Sequence, residues 1–272
     1  MEDVLTEIPP PSRFFQEDLN NFISPSPPLP TPFFVFSNPK LDGPLRPSLL
    51  IIALSSPSLF IFNQIPSKNL IGTLVLPEIA LSGISVEPSR GDKSCNIYAI
   101  NDAAADNSIL LVTVQCPVAA ERCHLVAKML IGQCIVAKRI LIFASIQSQN
   151  FRGKLSPDEA FTFKLETSPE RSSSDTGSED SSLLKSLDYF PSGSMIDGLA
   201  AALLGRCEMM DIRGALCVSW PEFDGSVVAM IKSILHRNVL PHFRFRLNCD
   251  GGEQLSRSTL YKDQPFDPEL YS

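Results

Sequence analysis

The sequence has no long apolar run, and it has fewer basic than acidic residues. The longest runs, Leu49 to Leu54 and Ile109 to Val112, fall far short of the roughly 20 residues that a membrane-spanning helix needs. Lys and Arg number 23 against 30 for Asp and Glu, a net charge of −7, so no overall positive field attracts phosphate backbones. We therefore expect no membrane span and no nucleic-acid binding.

Motifs that hold metals, cofactors or phosphates are also lacking. His124, His236 and His242 are the only histidines, and none forms HxH, HExxH or a CxxC partner at zinc spacing. Gly153-Lys154 lacks the earlier glycine and the following Ser or Thr of a phosphate loop, and GxGxxG does not occur. The sequence therefore predicts no metal and no cofactor.

Cysteine usage indicates a reducing compartment. The seven cysteines are odd in number and include no CxxC pair. The acidic start, Met1-Glu2-Asp3-Val4, lacks the basic and apolar regions of a secretory signal. We expect reduced, mostly buried cysteines in a cytoplasmic protein, with the nucleus as a second location.

Proline is concentrated in residues 1–47, in Pro9-Pro10-Pro11 and again from Pro25 through Pro32. Because proline fixes φ and removes a donor, this stretch is predicted to be a Pro-rich N-terminal arm rather than part of the core. Its clusters Phe14-Phe15 and Phe33-Phe34-Val35-Phe36 are too apolar for a solvated linker. We expect parts of the arm to pack on the folded body or on a partner.

Residues 48–247 alternate between short β-rich runs and helical periodicity. The predicted strands are Leu49 to Leu54, Leu59 to Phe62, Leu70 to Leu76, Asn96 to Ile100, Ile109 to Gln115, Arg139 to Ile146, Glu159 to Leu165, Ala215 to Trp220 and His242 to Leu247. The predicted helices run from Pro117 to Gly132, from Met195 to Met210 with Ser194 as the cap, and from Ser226 to His236. This succession predicts an α/β fold, a three-layer domain with a mixed, largely parallel central sheet flanked by helices.

Residues 167–182, TSPERSSSDTGSEDSS, break this periodicity. A segment so rich in serine and acidic groups buries too little apolar area to offset its chain entropy, so we predict a mobile surface loop. Acidic neighbours around exposed hydroxyls also suggest the hypothesis that residues between Ser172 and Ser182 are phosphorylated.

Residues with catalytic chemistry have simpler structural explanations. Ser194 lies in no GxSxG elbow and is interpreted as a helix cap, and Cys123 as a core residue. Asp197 and Glu222-Phe223-Asp224 suit helix N-termini. The alternative is a small-molecule enzyme of the hydrolase or phosphorylase type, with a cleft at the strand carboxyl ends that joins Ser194, Asp197 or Glu222 to a base.

Positive charge is concentrated near the end of the predicted domain. The residues are Lys232, His236, Arg237, His242, Arg244 and Arg246. They form either a solvated face or a docking surface for an acidic partner.

Residues 248–272 form a polar C-terminal tail that ends in Leu270-Tyr271-Ser272. Pro265 and Pro268 hinder regular structure, so we expect this end to project from the domain. A hydrophobic residue, a tyrosine and any last residue form the signature by which activators and chaperones engage proteasome α-rings. In a pocket between two subunits of the ring, a lysine can pair with the terminal carboxylate of the tail, while the tyrosine ring buries apolar area.

Other segments resemble the proteasome assembly chaperone 1 family, most closely its plant-type members. They are Ser145 to Phe151, Phe190-Pro191-Ser192-Gly193, the helix from Asp197 to Cys207 and the strand from Ala215 to Pro221. The resemblance implies a non-catalytic α/β subunit that pairs with proteasome assembly chaperone 2. It also implies binding to α-type subunits and promotion of 20S core α-ring assembly. Leu270, Tyr271 and Ser272 match the family's ring-engaging tail by position.

A short tail that becomes ordered on docking rarely binds better than micromolar, about −8 kcal/mol. A second attachment, such as a partner's tail, raises avidity by ~10² to 10⁴. We therefore predict an obligate heterodimer.

Overall fold

The computed structural model describes residues 30–37, 43–65, 67–79, 93–100, 108–153, 159–175, 182–222 and 224–240. The compact unit that contains the strands and helices begins at Pro32. Several predictions fall outside the described residues, namely Phe14-Phe15, the strand over 242–247, Cys249 and the tail over 248–272. No described helix is long and apolar enough to cross a membrane.

Nine strands and five α-helices make up the described part of the chain. The strands are β1 Phe33–Phe36, β2 Leu49–Ala53, β3 Lys68–Val75, β4 Cys95–Ile100, β5 Ile109–Val114, β6 Arg139–Ser145, β7 Phe161–Glu166, β8 Asp188–Tyr189 and β9 Arg213–Trp220. The helices are α1 Ser56–Asn63, α2 Cys123–Lys128, α3 Ser168–Asp175, α4 Gly198–Met209 and α5 Gly225–Ile234. Shorter helical turns occur at Ala120–Arg122, Met129–Gln133, Ser148–Asn150 and Leu235–Val239.

The strands form one mixed sheet in the order β1-β3-β4-β5-β2-β6-β9-β7-β8. The four central strands β5, β2, β6 and β9 are parallel, and their neighbours β4 and β7 are antiparallel to them. All five residues of β2 are buried, as expected for a parallel strand covered on both faces. The predicted mixed, largely parallel sheet is confirmed. Because the centre is parallel, the carboxyl ends of four strands meet at one edge.

Helices cover both faces of the sheet and complete three layers. Leu50 and Ile52 of β2 belong to the apolar cluster beneath α2 and α4. The alternate residues Ile51 and Ala53 belong to the cluster beneath α1 and α5. Since successive side chains of a strand point to opposite faces, one short apolar strand supplies both cores. The predicted three-layer architecture is confirmed.

The predicted strand Leu59 to Phe62 is wrong, because these residues lie in α1. Pro57 occupies the first turn of this helix, where a missing N–H costs nothing. Ile61 and Phe62 are fully buried, and the Phe62 ring packs on Phe143 of β6 with centroids 5.8 Å apart. A run of four apolar residues does not distinguish a strand from one buried helical turn, and tertiary packing decides between them.

Part of the predicted arm forms the edge strand β1. Its residues pair antiparallel with β3, from Phe33 opposite Val75 to Phe36 opposite Gly72. The rings of Phe34 and Phe36 stack at 5.6 Å, whereas the side chain of Phe33 is about half exposed. The expectation that these aromatic residues pack on the folded body therefore holds for this segment.

Part of the predicted loop over 167–182 is helix α3, which corrects that prediction for Ser168–Asp175. The side chain of Glu170 on this helix is fully buried. It forms ion pairs with Arg139, the first residue of β6, and Arg213, the first residue of β9. These ion pairs anchor α3 to the sheet, although the segment has few apolar residues to bury.

Candidate functional site

The predicted partner-binding residues Leu270, Tyr271 and Ser272 lie outside the described residues, so their role stays a prediction. The described chain ends at Leu240, which is buried and donates its N–H to the Leu235 carbonyl at 2.7 Å. The site that the structure describes is on the domain itself, at the carboxyl ends of the parallel strands.

The segments that carry the family resemblance come together in the fold. Residues 145–152 begin at the last residue of β6, and residues 190–197 precede α4; we call these two segments the paired loops. The Met195 N–H donates to the Asn150 carbonyl at 2.8 Å, and Nδ2 of Asn150 donates to Oδ2 of Asp197 at 2.7 Å. The paired loops are thus joined by backbone and side-chain bonds across more than 40 residues of sequence.

A cluster of three aromatic rings connects the paired loops to β7. The Phe151 ring lies 5.8 Å from Phe163 of β7 and 6.1 Å from Phe190, and the last two rings lie 6.0 Å apart. Aromatic pairs at these separations contribute about 0.5–1.5 kcal/mol beyond the area they bury. Each loop therefore supplies one ring to a shared cluster.

Ser194 does not cap a helix, contrary to the prediction. α4 begins at Gly198, with Asp197 at the N-cap position. The Asp197 side chain makes no capping hydrogen bond. The Ser194 Oγ instead accepts the Arg152 N–H at 2.8 Å. The Ser194 N–H donates to the Pro191 carbonyl at 3.1 Å, so this residue fastens one loop to the other. An alternative partner for the hydroxyl outweighs its local capping propensity.

A groove of about 290 Å³ lies beside the paired loops, at the carboxyl ends of β2, β5, β6 and β9. Its lining residues are Leu54, Ser55, Val114, Cys116, Val118, Ala144, Ser145, Ile146, Gln147, Asp197, Gly198, Leu199, Ala200 and Glu222. Clefts at this edge are the usual ligand sites of open α/β sheets. The enzyme alternative predicted a cleft at this edge, and the structure has one. Of its three candidate residues, Asp197 and Glu222 line the groove.

The groove is acidic, and its two carboxylates are bound by neutral groups. Asp197 is bound by Asn150, and Oε1 of Glu222 accepts the Ser56 hydroxyl at 3.2 Å. Among the described lining residues there is no histidine, lysine or arginine. Ser194 is not among the lining residues either. The described lining of the groove therefore contains carboxylates, hydroxyls and a thiol but no histidine and no cationic side chain.

The thiol that reaches the groove is held in its protonated form. Burial raises the pKa of Cys116 to about 11, although its own backbone hydrogen bond opposes the rise. A thiolate is the reactive form of cysteine, so this side chain is an inert part of the wall at neutral pH. Cys123 is buried as predicted, and its Sγ donates to the Ala119 carbonyl at 3.4 Å. The six cysteines in the described chain are all free thiols.

A second polar cluster was not predicted. The buried Glu166 of β7 accepts Nζ of Lys164 at 3.2 Å, the Tyr189 hydroxyl at 2.8 Å and the Ser182 hydroxyl. Burial acts to raise the pKa of Glu166, but these hydrogen bonds and the Lys164 charge outweigh it, and the pKa lies below its ordinary value. Alternation along β7 foretold a half-exposed strand, yet the face bearing Lys164 and Glu166 is buried by residues distant in sequence.

The basic cluster lies only partly within the described chain. Lys232, His236 and Arg237 of the basic cluster lie at the end of α5 and in the turn that follows it. Nζ of Lys232 lies 6.0 Å from the centre of the Phe60 ring. His242, Arg244 and Arg246 lie outside the described residues. Within the described chain no three His, Cys, Asp or Glu side chains are grouped so as to hold a metal ion.

Comparisons by sequence find no relative, whereas comparisons by structure do. No sequence profile of a known protein family and no curated protein matches the chain. PbaA of Pyrococcus furiosus, described as an archaeal homolog of proteasome-assembly chaperone, superposes in its monoclinic form with a TM-score of 0.58 and 12% identity. The match covers 83% of this chain and 89% of PbaA.

Two further solved structures give the same result. Another structure of PbaA matches with a TM-score of 0.58 at 12% identity, over 82% of this chain and 92% of PbaA. A protein with unknown function from Thermoplasma acidophilum matches with a TM-score of 0.54 at 15% identity, over 80% of this chain and 83% of its own. At such identities the likeness shows a shared fold.

Proposed function

We propose that this chain is a non-catalytic proteasome assembly chaperone subunit of type 1, which acts in the cytoplasm and in the nucleus. It pairs with proteasome assembly chaperone 2, binds proteasome α-type subunits and promotes assembly of the 20S core α-ring. The observation that carries the proposal is the fold similarity to PbaA, a homolog of proteasome-assembly chaperone, over 83% of this chain. The structural joining of the paired loops, which carried the family resemblance, supports it.

The tail supplies the chemistry for ring binding. In this proposal Leu270, Tyr271 and Ser272 bind as one unit, with Ser272 supplying the carboxylate. A pocket between two α-subunits offers an apolar rim for the leucine, a slot for the ring and a cation for the carboxylate. Binding requires a C-terminal residue, because its carboxylate pairs with the cation of the pocket.

Pairing with a second chaperone subunit supplies the remaining affinity. A tripeptide contact loses ordering entropy and does not exceed micromolar affinity by itself. Two tails held on one dimer act at an effective concentration around millimolar, which raises avidity by ~10² to 10⁴. The proposal therefore requires a heterodimer for function and predicts weak ring binding by the isolated subunit.

The groove supports a non-catalytic role for the domain. Its two carboxylates are bound by neutral donors, and its thiol is protonated at neutral pH. General acid–base or nucleophilic catalysis needs a base within hydrogen-bond reach of a nucleophile. The described lining contains neither Ser194 nor a histidine or lysine, which are frequent activators of hydroxyl and thiol nucleophiles.

The tail is tested by capture of α-type subunits with N-terminally tagged protein, so that the Ser272 carboxylate stays free. Deletion of Leu270 to Ser272 should weaken capture strongly while co-purification of the second chaperone subunit is unchanged. Tyr271→Ala should have nearly the same effect, because it removes the ring that fills the slot.

The chain offers a matched control for this experiment. Leu260-Tyr261 repeats the same dipeptide ten residues earlier, without a free carboxylate. Tyr261→Ala should therefore leave capture intact. Addition of one glycine after Ser272 keeps every side chain but moves the carboxylate, and it should weaken capture. Equal capture by wild type and the deletion variant would refute the role of the tail, and absence of a second chaperone subunit would refute the heterodimer.

A further inference from the structure

The hydroxyl groups in the Ser-rich segment are not equivalent in the structure. The hydroxyl of Ser182 is buried and donates to Glu166. Those of Ser172 and Ser173 donate to carbonyls one turn earlier in α3, at 2.9 Å and 2.8 Å. Ser168, at the start of α3, is exposed and is followed by Pro169. Ser168 thus combines exposure with a following proline, and it lies outside the range of hydroxyls that composition singled out.

Ser168 forms a specific contact with a second helix. Its N–H donates to Oε2 of Glu208 at 2.8 Å, and its Oγ donates to Oε1 of the same carboxylate at 2.5 Å. Glu208 is the last residue but one of α4. One carboxylate therefore accepts both donors of Ser168 and ties the first turn of α3 to the last turn of α4.

We propose that Ser168 is a phosphorylation site for a proline-directed serine kinase, and that its phosphate releases the first turn of α3 from Glu208. The proposal rests on the Ser168-Pro169 dipeptide, the exposure of the Ser168 residue and the bond of its hydroxyl to a carboxylate. It does not depend on the function proposed above.

The chemistry of the step is an ordinary phosphoryl transfer from ATP. The Ser168 Oγ forms a bond to the γ-phosphorus while the bond between that phosphorus and the β–γ bridging oxygen breaks. ADP leaves, and the hydroxyl proton passes to the catalytic base of the kinase. The product has no hydroxyl donor, so the 2.5 Å bond to Glu208 is lost with the reaction.

Repulsion between charges favours separation of the phosphorylated Ser168 from Glu208. The phosphate adds about −1.5 to −2 charges beside a carboxylate, and like charges at this separation repel. Hydrogen bonds from Ser168 hold the pKa of Glu208 below its ordinary value, so this carboxylate is ionised at neutral pH. Arg171, one turn further along α3, also lowers the pKa of Glu208 and is the nearby cation to which the phosphate can turn.

The release is confined to the contact of Ser168 with Glu208 because the residues on both sides of Ser168 keep their own contacts. Glu170 remains paired with Arg139 and Arg213. The Thr167 hydroxyl donates to the Ile212 carbonyl at 3.0 Å and accepts the Gly214 N–H at 2.9 Å. Phosphorylation should therefore loosen the contact between α3 and α4 without unfolding the domain.

The test is incubation of the full chain with a proline-directed kinase and ATP, followed by mass spectrometry of the peptide that contains Ser168. Wild type should carry phosphate on Ser168, and S168A should show only background on that peptide. P169A keeps the hydroxyl and its bond to Glu208 but removes the kinase determinant, so its phosphorylation should also fall to background. S172A serves as the matched control and should be phosphorylated like wild type.

A second variant tests the structural step. E208Q weakens the tie on the first turn, so the population open to the kinase should rise about fivefold, and with it the initial rate. Hydrogen exchange of the phosphorylated chain should show faster exchange at the start of α3 and unchanged protection at Gly214. Absence of phosphate from Ser168, equal labelling of P169A and wild type, or an unchanged exchange pattern would overturn the proposal.

Discussion

The side-chain amide of Asn150 donates a hydrogen bond to the Asp197 carboxylate, with Nδ2 and Oδ2 2.7 Å apart. The carbonyl of the same asparagine accepts the Met195 N–H at 2.8 Å. Asn150 ends the helical turn after β6, and Asp197 stands immediately before α4. One residue therefore connects the paired loops twice, at the wall of the groove, which makes it the point at which their geometry is most easily tested.

Asn150→Ala should loosen the paired loops by removing the amide while the backbone bond to Met195 remains. The expected loss is about 0.5–1.5 kcal/mol of unfolding free energy, the usual net value of one hydrogen bond. Urea denaturation of N150A, D197A and the double variant measures it, since the two single losses should not add. Gln149→Ala, at the exposed residue just before Asn150, should change the unfolding free energy little. Full additivity of the two losses would contradict the coupling.

Glu170→Gln should destabilise the domain strongly. Glu170 is fully buried between two arginines that are themselves mostly shielded, and removal of its charge takes away the ion-pair partner that both arginines share. Removing one partner of a buried ion pair costs about 3–5 kcal/mol, and the partial exposure of the arginines favours the lower end. Thermal and urea unfolding measure the loss. Glu121→Gln, an exposed carboxylate, is the control, and equal stability of both variants would refute the anchoring role.

The central strands could be predicted because their signal is local. β2, β5 and β6 are apolar runs bounded by polar residues, and burial on both faces requires such runs. Helices α4 and α5 show the expected periodicity, although each begins at a glycine rather than at the predicted serine or methionine. For these elements the hydrophobic pattern contains most of the information.

Contacts between distant residues could not be predicted in this way. Glu170 pairs with Arg139 and Arg213 across 31 and 43 residues, so no window of sequence contains the network that turns a polar segment into α3. Ser194 had a local explanation as a cap, but its hydroxyl bonds to Arg152, 42 residues away. The groove likewise is formed by five separate segments, and only the parallel order of the strands brings them to one edge.

Gly72→Ala should displace the edge strand β1. A Cβ at this position would lie 2.7 Å from the Val35 carbonyl oxygen and 3.0 Å from Cδ1 of Phe36, and a backbone atom cannot move aside without breaking the pairing. Limited proteolysis should therefore cut within Phe33–Phe36 faster than in wild type. Gly205→Ala is the matched control, because a Cβ there meets nothing within 4 Å in the interior of α4. That change should stabilise the domain by about 0.5–1 kcal/mol.

Glu166→Gln should remove an acid-sensitive part of the stability. Because Ser182, Tyr189 and Lys164 keep the pKa of Glu166 below its ordinary value of 4.5, the folded state favours the ionised carboxylate. A carboxyl whose pKa is lower in the folded than in the unfolded state stabilises at pH above the unfolded value, and this contribution is lost as the pH falls through the folded value. The gap in urea midpoint between wild type and E166Q should therefore be constant near neutral pH and close below about pH 4.5. Glu159→Gln, on the exposed side before β7, should show no such closing gap. A gap that persists at low pH would mean that packing, rather than the carboxylate charge, makes Glu166 important.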